Sequence, residues 1–417
     1  MMNLEKLYLI KVPNDLLIIS KEKICTCFVY IGFLIAYLGS LNPWFMWPLG
    51  SFYIVLSSLF LCSSIAIAAT RESDTLFQYT NYLAPTIIYI ILSYYLLTIN
   101  GGHIGGFLLN LFNVSIFFSL FIVNKDFLLS ISTVIAKFMA VLLAISLVGY
   151  FLFLFGFPLP SVNDEFAEGL YTYRNYFLFL INDAAEFDLF PRFHAVFLEP
   201  GHLGSACVIL LLTQYGQWRK WYNVILLIAT LITFSLAAYV LLVIAIFLNL
   251  WMQNKRVFSK IIIMTSFLAT IIVASFYYNN GNNLLHDLIL LRLEVYDGEM
   301  VGNNRVTDEF DTEYENYLNS SDIVTGRDMP KDAFGNSGYK VFIYENGLIG
   351  LILVILLYFT ALKHATNYRF LVASIIMAFL SFIVRGYPLW YSNFIVFYII
   401  AYLRNTNQNV FLTLTEE

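Results

Sequence analysis

Apolar residues run along this chain in blocks of about 15 to 25, long enough as helices to cross ~30 Å of hydrocarbon, with short polar breaks between them. Read against those breaks, the blocks predict helices near 24–41, 49–69, 82–98, 104–123, 128–155, 200–215, 221–235, 237–252, 258–278, 342–362, 370–384 and 390–403. The punctuation is local. Asn42-Pro43, Trp47-Pro48, Arg71-Glu72-Ser73-Asp74, Gly101-Gly102, Asn124-Lys125-Asp126 and Gln217-Trp218-Arg219-Lys220 all carry turn or breaker residues. The expected fold class is an all-α polytopic membrane protein with about 12 transmembrane helices, since helices alone satisfy their backbone groups within lipid. The block 221–252 is long for one span and short for two. Hydroxyls in Thr233-Phe234-Ser235 can satisfy backbone groups freed at a break. Two short antiparallel helices meeting there are expected, with one long tilted helix as the alternative.

Two segments are too polar to be spans. The first, 156–199, mixes acids with Tyr171, Tyr173, Tyr176, Phe177 and Phe179; the second, 279–341, is acidic and large. The chain therefore divides into residues 1–278 (helices and the smaller loop), 279–341 (the large extracytoplasmic loop) and 342–417 (the last helices and a tail). Leu284-Leu285, Leu288-Ile289 and Arg292 have the spacing of a helix lying on a membrane surface. Lys and Arg concentrate in Lys6–Lys23, Arg219-Lys220, Lys255-Arg256, Lys363 and Arg369. That bias places these turns, and both termini, in the cytoplasm. Lys137 is the one clear cation within a span. No internal repeat is evident, though many transporters carry one.

Composition sharpens this picture. Apolar residues make up 59%, charged residues 12%, and mean hydropathy is +0.74, against about 25% charged residues in soluble domains. A net charge of −5 is small and says nothing about nucleic acid, and no nucleic-acid partner is expected. Cys25, Cys27, Cys62 and Cys207 lie in or beside apolar blocks, where no structural disulfide is implied. Cys25-x-Cys27 reads as two small apolar residues rather than a metal pair. Lys11, Pro13 and Asp15 interrupt the pattern of a cleaved leader. P-loop, His-Glu-x-x-His and Gly-x-Ser-x-Gly motifs are absent from the sequence.

The candidate chemistry lies in two clusters. Segment 191–204 places Arg192, His194, Glu199 and His202 at the outer mouth of an apolar block, with Pro200 suited to the first turn of a helix. Ionisable groups at such a mouth are candidates for function; an interfacial Arg–Glu pair that caps the helix is the alternative. The large loop carries Arg305, Arg327, Tyr339 and Lys340. In an acidic region these cations act as placed groups, the arginines as forks suited to phosphate, or else they pair with neighbouring acids. Arg385, in the last outside turn, is either a third cationic point at the mouth or an interface anchor. Asp311-Thr312-Glu313 reads as a solvated acidic face, and no metal site is expected.

Arg192, then Glu199-Pro200-Gly201-His202-Leu203-Gly204, then Thr233 and Ser235 form one half of an ordered set; Asn304-Arg305, Gly326-Arg327 and Tyr344-Glu345-Asn346-Gly347-Leu348-Ile349-Gly350 form the other. This set, over about residues 185–355, resembles the Wzy-type O-antigen and capsule repeat-unit polymerases and, more loosely, the O-antigen ligases. Leu236 stands where many relatives have Arg, Gly326-Arg327-Asp328 where many have Gly-x-Gly, and Tyr339-Lys340 where many have His-Asn. That His is the usual candidate base of the ligases, so its absence favours the polymerases and leaves the base unassigned.

The resemblance implies oligosaccharide repeat units on undecaprenyl diphosphate as substrates, at the outer face of a bacterial inner membrane. It implies no cofactor, and the bilayer and a chain-length regulator of the Wzz type as partners. Diphosphate is a good leaving group whose developing charge needs fixed positive donors. On this reading Arg192 and Arg305 clamp it, with Arg327, Arg385, Tyr339 and Lys340 in support. Glu199 orients Arg192 or accepts the acceptor proton, His194 and His202 compete as base, and the aromatics of 166–190 stack on sugars. A ligase acting on lipid A core, and a transporter or flippase, are the rivals. Polar groups gathered at one face would favour an enzyme; polar groups lining a route across the midplane would favour transport.

Overall fold

The computed structural model describes residues 14–70, 76–99, 101–166, 171–182, 191–253, 308–329 and 338–403, with isolated positions between them. The predicted helix at 258–278, the surface helix at 284–292 and Arg305 lie outside the described residues. The other eleven predicted segments each coincide with a helix to within a few residues at most ends. These are α1 (Asn14–Ser40), α2 (Phe52–Ala68), α3 (Leu83–Ile99), α4 (Ile104–Ile122), α5 (Lys125–Leu154) and α6 (Pro200–Thr213). They continue with α7 (Trp221–Ile232), α8 (Leu236–Met252), α10 (Gly338–Leu362), α11 (Tyr368–Arg385) and α12 (Tyr391–Tyr402). A shorter helix, α9 (Asp308–Leu318), belongs to the large loop.

The molecule is an apolar helical bundle suited to a membrane, but the expected dozen spans are not found. Among the described residues five helices are long and apolar enough to cross, in α1, α4, α5, α10 and α11. The physical reason is length. At 1.5 Å per residue the 12 residues of α7 or α12 rise only about 18 Å. α6 and α12 are buried on every side, from Leu203 to Thr213 and from Tyr391 to Ala401. Helices that are apolar all round belong in the centre of a bundle. Around them, Leu83, Ile104, Leu111, Val148, Phe359 and Phe379 are exposed, an apolar outer surface of the kind that lipid covers.

Helices α7 and α8 are separate, as the Thr-x-Ser break predicts. Tyr222, at the start of α7, donates to Gln214 Oε1 at the end of α6 (3.5 Å). The end of α7 returns to Gly204, where an added Cβ would lie 3.1 Å from Thr233 Oγ1 and 2.6 Å from Ala238 Cβ. α8 then runs back until Met252 O accepts from the Tyr215 hydroxyl at 3.2 Å. The two helices thus form an antiparallel pair along α6. Phe234, with φ at 46°, makes the turn.

Two small sheets depart from an all-helical fold; the lesser pairs Val295–Tyr296 antiparallel with Glu299–Met300 in the large loop. In the smaller loop, β1 (Val162–Phe166), β2 (Tyr171–Asn175) and β3 (Leu180–Asn182) form an antiparallel sheet in that order. Asn175 Oδ1 accepts from Phe177 N–H at 2.7 Å to close its second turn. One face buries Tyr173 and Leu180 against Leu198, beside Trp44, Trp47 and Phe166. Tyr176 and Phe179 are buried too, stacked 4.9 Å apart. Of the aromatics expected to meet sugars, Tyr173, Tyr176 and Phe179 are packed inside, while Phe177 is 44% exposed.

Candidate active site at one end of the bundle

The segment 191–199 has no regular structure, and it is held from several sides. The Tyr150 hydroxyl on α5 donates to Pro191 O. Leu180 N–H on β3 donates to Ala195 O at 2.7 Å, and Trp44 N–H to Val196 O at 2.9 Å. The Tyr173 hydroxyl donates to Leu198 O at 2.7 Å. Inside this frame His194 is 3% exposed, and its Nδ1 donates to Phe197 O at 2.5 Å. Burial pushes its pKa down to about 4; the Phe197 bond opposes this, Arg192 adds to it, and Glu199 opposes it. His194 is therefore a neutral pin for the turn.

A pH dependence of stability follows from that burial. An unfolded imidazole titrates near 6.5, so the unfolded chain binds the extra proton first as pH falls. Stability from this group is complete above about 6.5 and is lost as pH drops towards 4. The loss is on the order of 3 kcal/mol. His194→Asn is expected to flatten the fall of Tm between these pH values, measured by thermal unfolding in detergent. An unchanged slope would assign it to other groups.

Glu199 sits at the N-cap of α6 with extended backbone (φ −134°, ψ 142°), and its side chain makes no cap bond. It turns instead to Arg385, the last residue of α11, whose Nη1 donates to Glu199 Oε2 at 2.7 Å. His202 Nε2 lies 3.8 Å from the same oxygen. The three side chains are 23%, 10% and 11% exposed for Glu199, Arg385 and His202, so water screens the pair only in part. Arg385 Nε is buried and has no hydrogen-bond partner among the described residues. A Cβ at Gly201 would lie 1.6 Å from Arg385 Nη2 and 3.3 Å from Ser235 Oγ. A side chain at 201 would push the guanidinium out of this position.

Arg192 reaches the same region from the other side. Its Nε donates to Thr233 O at 3.2 Å, while Ser235 Oγ caps α8 by accepting from Ala238 N–H at 3.4 Å. Arg192, Glu199, His202 and Arg385 thus converge on the start of α6 and the α7–α8 break. Sequence reasoning missed the aromatic pair beside His202: Tyr387 and Trp390 stack at 4.0 Å and 5°, and the His202 ring meets Trp390 edge-on at 5.1 Å. The available signal was the run Tyr387-Pro388-Leu389-Trp390 directly after Arg385-Gly386.

The loop cations form a second cluster. Arg327 Nη1 pairs with Glu313 Oε1 and Nη2 with Asp322 Oδ2, both at 2.8 Å. Nη2 also donates to Ser320 Oγ at 2.9 Å, and the guanidinium lies 5.4 Å from the Tyr317 ring. Lys340 pairs with Asp311 at 2.5 Å. The alternative of pairing with neighbouring acids describes what Arg327 does, and Lys340 is paired as well. Tyr339 is partly exposed beside them. The loop joins the first cluster through backbone: a Cβ at Gly338 would lie 2.4 Å from Gly386 N and 2.6 Å from Arg385 C. Arg385 is the ion-pair partner of Glu199 in this arrangement. Among the described residues no three His, Cys, Asp or Glu side chains gather as a metal site would require. No protein-family model, curated protein or solved structure matches this chain.

Proposed function

We propose that this chain is a membrane glycosyltransferase that joins undecaprenyl-diphosphate-linked repeat units at the outer face of a bacterial inner membrane, with both termini cytoplasmic. The observation that carries the reading is the Glu199–Arg385–His202 cluster, set beside Arg192 on a helix break. Two arginines held at one carboxylate and one carbonyl are fixed positive donors that need no rearrangement when a diphosphate leaves. Arg192 and Arg385 bind the diphosphate. Glu199 or His202, adjacent and oriented by the pair, accepts the proton from the acceptor hydroxyl. The stacked Tyr387 and Trp390 offer an apolar ring surface next to that base. Arg305 remains a candidate for the clamp on its resemblance alone.

Position supports an enzyme over a transport path. On this reading α7 starts at the cytoplasmic face and rises about 18 Å to the break, which sets the cluster short of the far surface of a ~30 Å slab. A lipid-borne diphosphate can reach that depth. Lys137, the one cation the sequence places within a span, lies 6.0 Å over the Tyr222 ring at the opposite end of α7. It reaches towards that interface, as long cations do, and marks no polar route between the faces.

The test is gel analysis of surface polysaccharide from cells lacking the gene, complemented with wild type or Arg192→Ala. A single repeat unit on lipid A core, restored to a ladder by wild type alone, is expected. Complete polymer left on undecaprenyl diphosphate would mean ligase, and an unchanged ladder would exclude both and favour transport.

A further inference from the structure

At the end of the bundle away from that cluster, a cavity of about 190 Å³ opens between the α4–α5 turn, the segment before α3 and the ends of α10 and α12. Lys125 is its charged wall. The ammonium donates to Phe121 O at 3.0 Å and to the Tyr398 hydroxyl, and it lies 4.8 Å from the centres of both the Tyr398 and Tyr402 rings. No carboxylate among the described residues pairs with it. It is also the first residue of a 30-residue helix, where the helix dipole adds positive potential and disfavours a cation. The exposed Asp126 shares this first turn but makes no ion pair with the ammonium, and a partly buried charge without a direct counter-ion is costly.

The rest of the wall offers hydrogen bonds to an anion paired with this charge. Gln78, Thr80, Asn81, His364 and Thr366 line it, a set rich in N–H and O–H donors. A point charge ringed by neutral donors suits an anion with several acceptor oxygens. The volume lies below the ~300–1,000 Å³ of pockets for drug-sized molecules, which suits a single anionic group. The Lys/Arg-rich turns are at this same end, including Arg369, whose Nη1 donates to Trp251 O at 3.2 Å; anionic lipid headgroups collect beside such turns.

We propose that this cavity binds a phosphate group, with Lys125 as the counter-charge, at a site separate from the Glu199–Arg385 cluster. The phosphate is that of an anionic lipid headgroup or of a free anion, and one experiment separates the two sources. The full chain in dodecyl maltoside is titrated with phosphatidylglycerol in mixed micelles and, separately, with inorganic phosphate, following Tm. Bound lipid is counted by native mass spectrometry. Stabilisation by phosphatidylglycerol alone identifies a headgroup held with its chains; stabilisation by both ligands shows that the phosphate group alone suffices. Lys125→Gln should weaken binding at least about tenfold, the scale of one charge-assisted bond. Lys125→Arg should retain most of it, and Lys137→Gln, which keeps the cavity intact, should bind as wild type does. Binding unchanged in Lys125→Gln, or lost equally in Lys137→Gln, or absent for both ligands, overturns the proposal. Should Lys125→Gln fail to fold, Thr366→Val provides the second test, with weaker binding expected and wild-type binding counting against the site.

Discussion

Arg385→Ala is expected to lower polymerisation by about 10²-fold or more, the scale of removing one fixed donor from a developing negative charge. On the proposed function two roles are lost together: one arm of the proposed diphosphate site and the partner that orients Glu199 at 2.7 Å. Arg385→Lys should fare little better. An ammonium cannot place one nitrogen on Glu199 and another against Gly201, as this planar fork does. Gly201→Ala provides an independent route to the same defect, because the added methyl occupies the position of Arg385 Nη2 while every charge remains. Stability must be separated from chemistry, since breaking a desolvated ion pair is itself destabilising. The double variant Arg385→Ala/Glu199→Gln removes the stranded carboxylate. It should recover thermal stability and leave polymerisation lost, measured on purified lipid-linked repeat units and by Tm. If the double variant regained activity, the pair would be a structural strut and the diphosphate site would lie elsewhere.

The helices were legible because each buries or exposes a continuous apolar surface, a property of neighbouring residues. The break at Thr233–Ser235 was legible for the same reason, since its hydroxyls are local. How far each helix reaches was not. α6 and α12 read as ordinary apolar blocks, and only their burial on all sides distinguishes central helices from lipid-facing ones. The sheet at 162–182 escaped notice because its strands have only three to five residues, and its inward face is defined by Leu198 and two tryptophans from other segments. Within the site, Glu199 and His202 are one helical turn apart and could be paired on paper. Arg385 lies 186 residues away; the sequence places it at the same outer mouth, but nothing there pairs it with Glu199. The reverse holds in the large loop. Arg327 is 14 residues from Glu313 and five from Asp322, so pairing with nearby acids was already a visible alternative.

Gly347→Ala is the substitution expected to cost most stability, about 3 kcal/mol or more from added backbone strain and overpacking. Gly347 interrupts α10 with φ 63° and ψ −174°, and the large loop docks into that interruption. Val324 O accepts from Ile349 N–H at 3.1 Å, and Tyr344 O accepts from Arg327 N–H at 2.9 Å. The Tyr95 hydroxyl on α3 contacts both sides, 3.1 Å from Thr325 O and 3.2 Å from Asn346 O. A Cβ at 347 would lie 2.5 Å from Thr325 C and Val324 O and 2.6 Å from Gly326 N. These are backbone atoms, which cannot turn aside as a flexible side chain would. Gly101 provides the control, because its φ is 67° but an added Cβ would meet nothing within 4 Å. Gly101→Ala therefore carries the conformational strain of about 1–2 kcal/mol without the clash. Gly347→Ala should melt well below Gly101→Ala and should be cut faster within 308–329 by limited proteolysis. Because Gly338, at the other end of the same loop boundary, rests on the Arg385–Gly386 backbone, polymerisation should fall with it. Equal melting of the two variants would mean that the docked segment does not hold the loop, and that Arg385 is positioned by α11 alone.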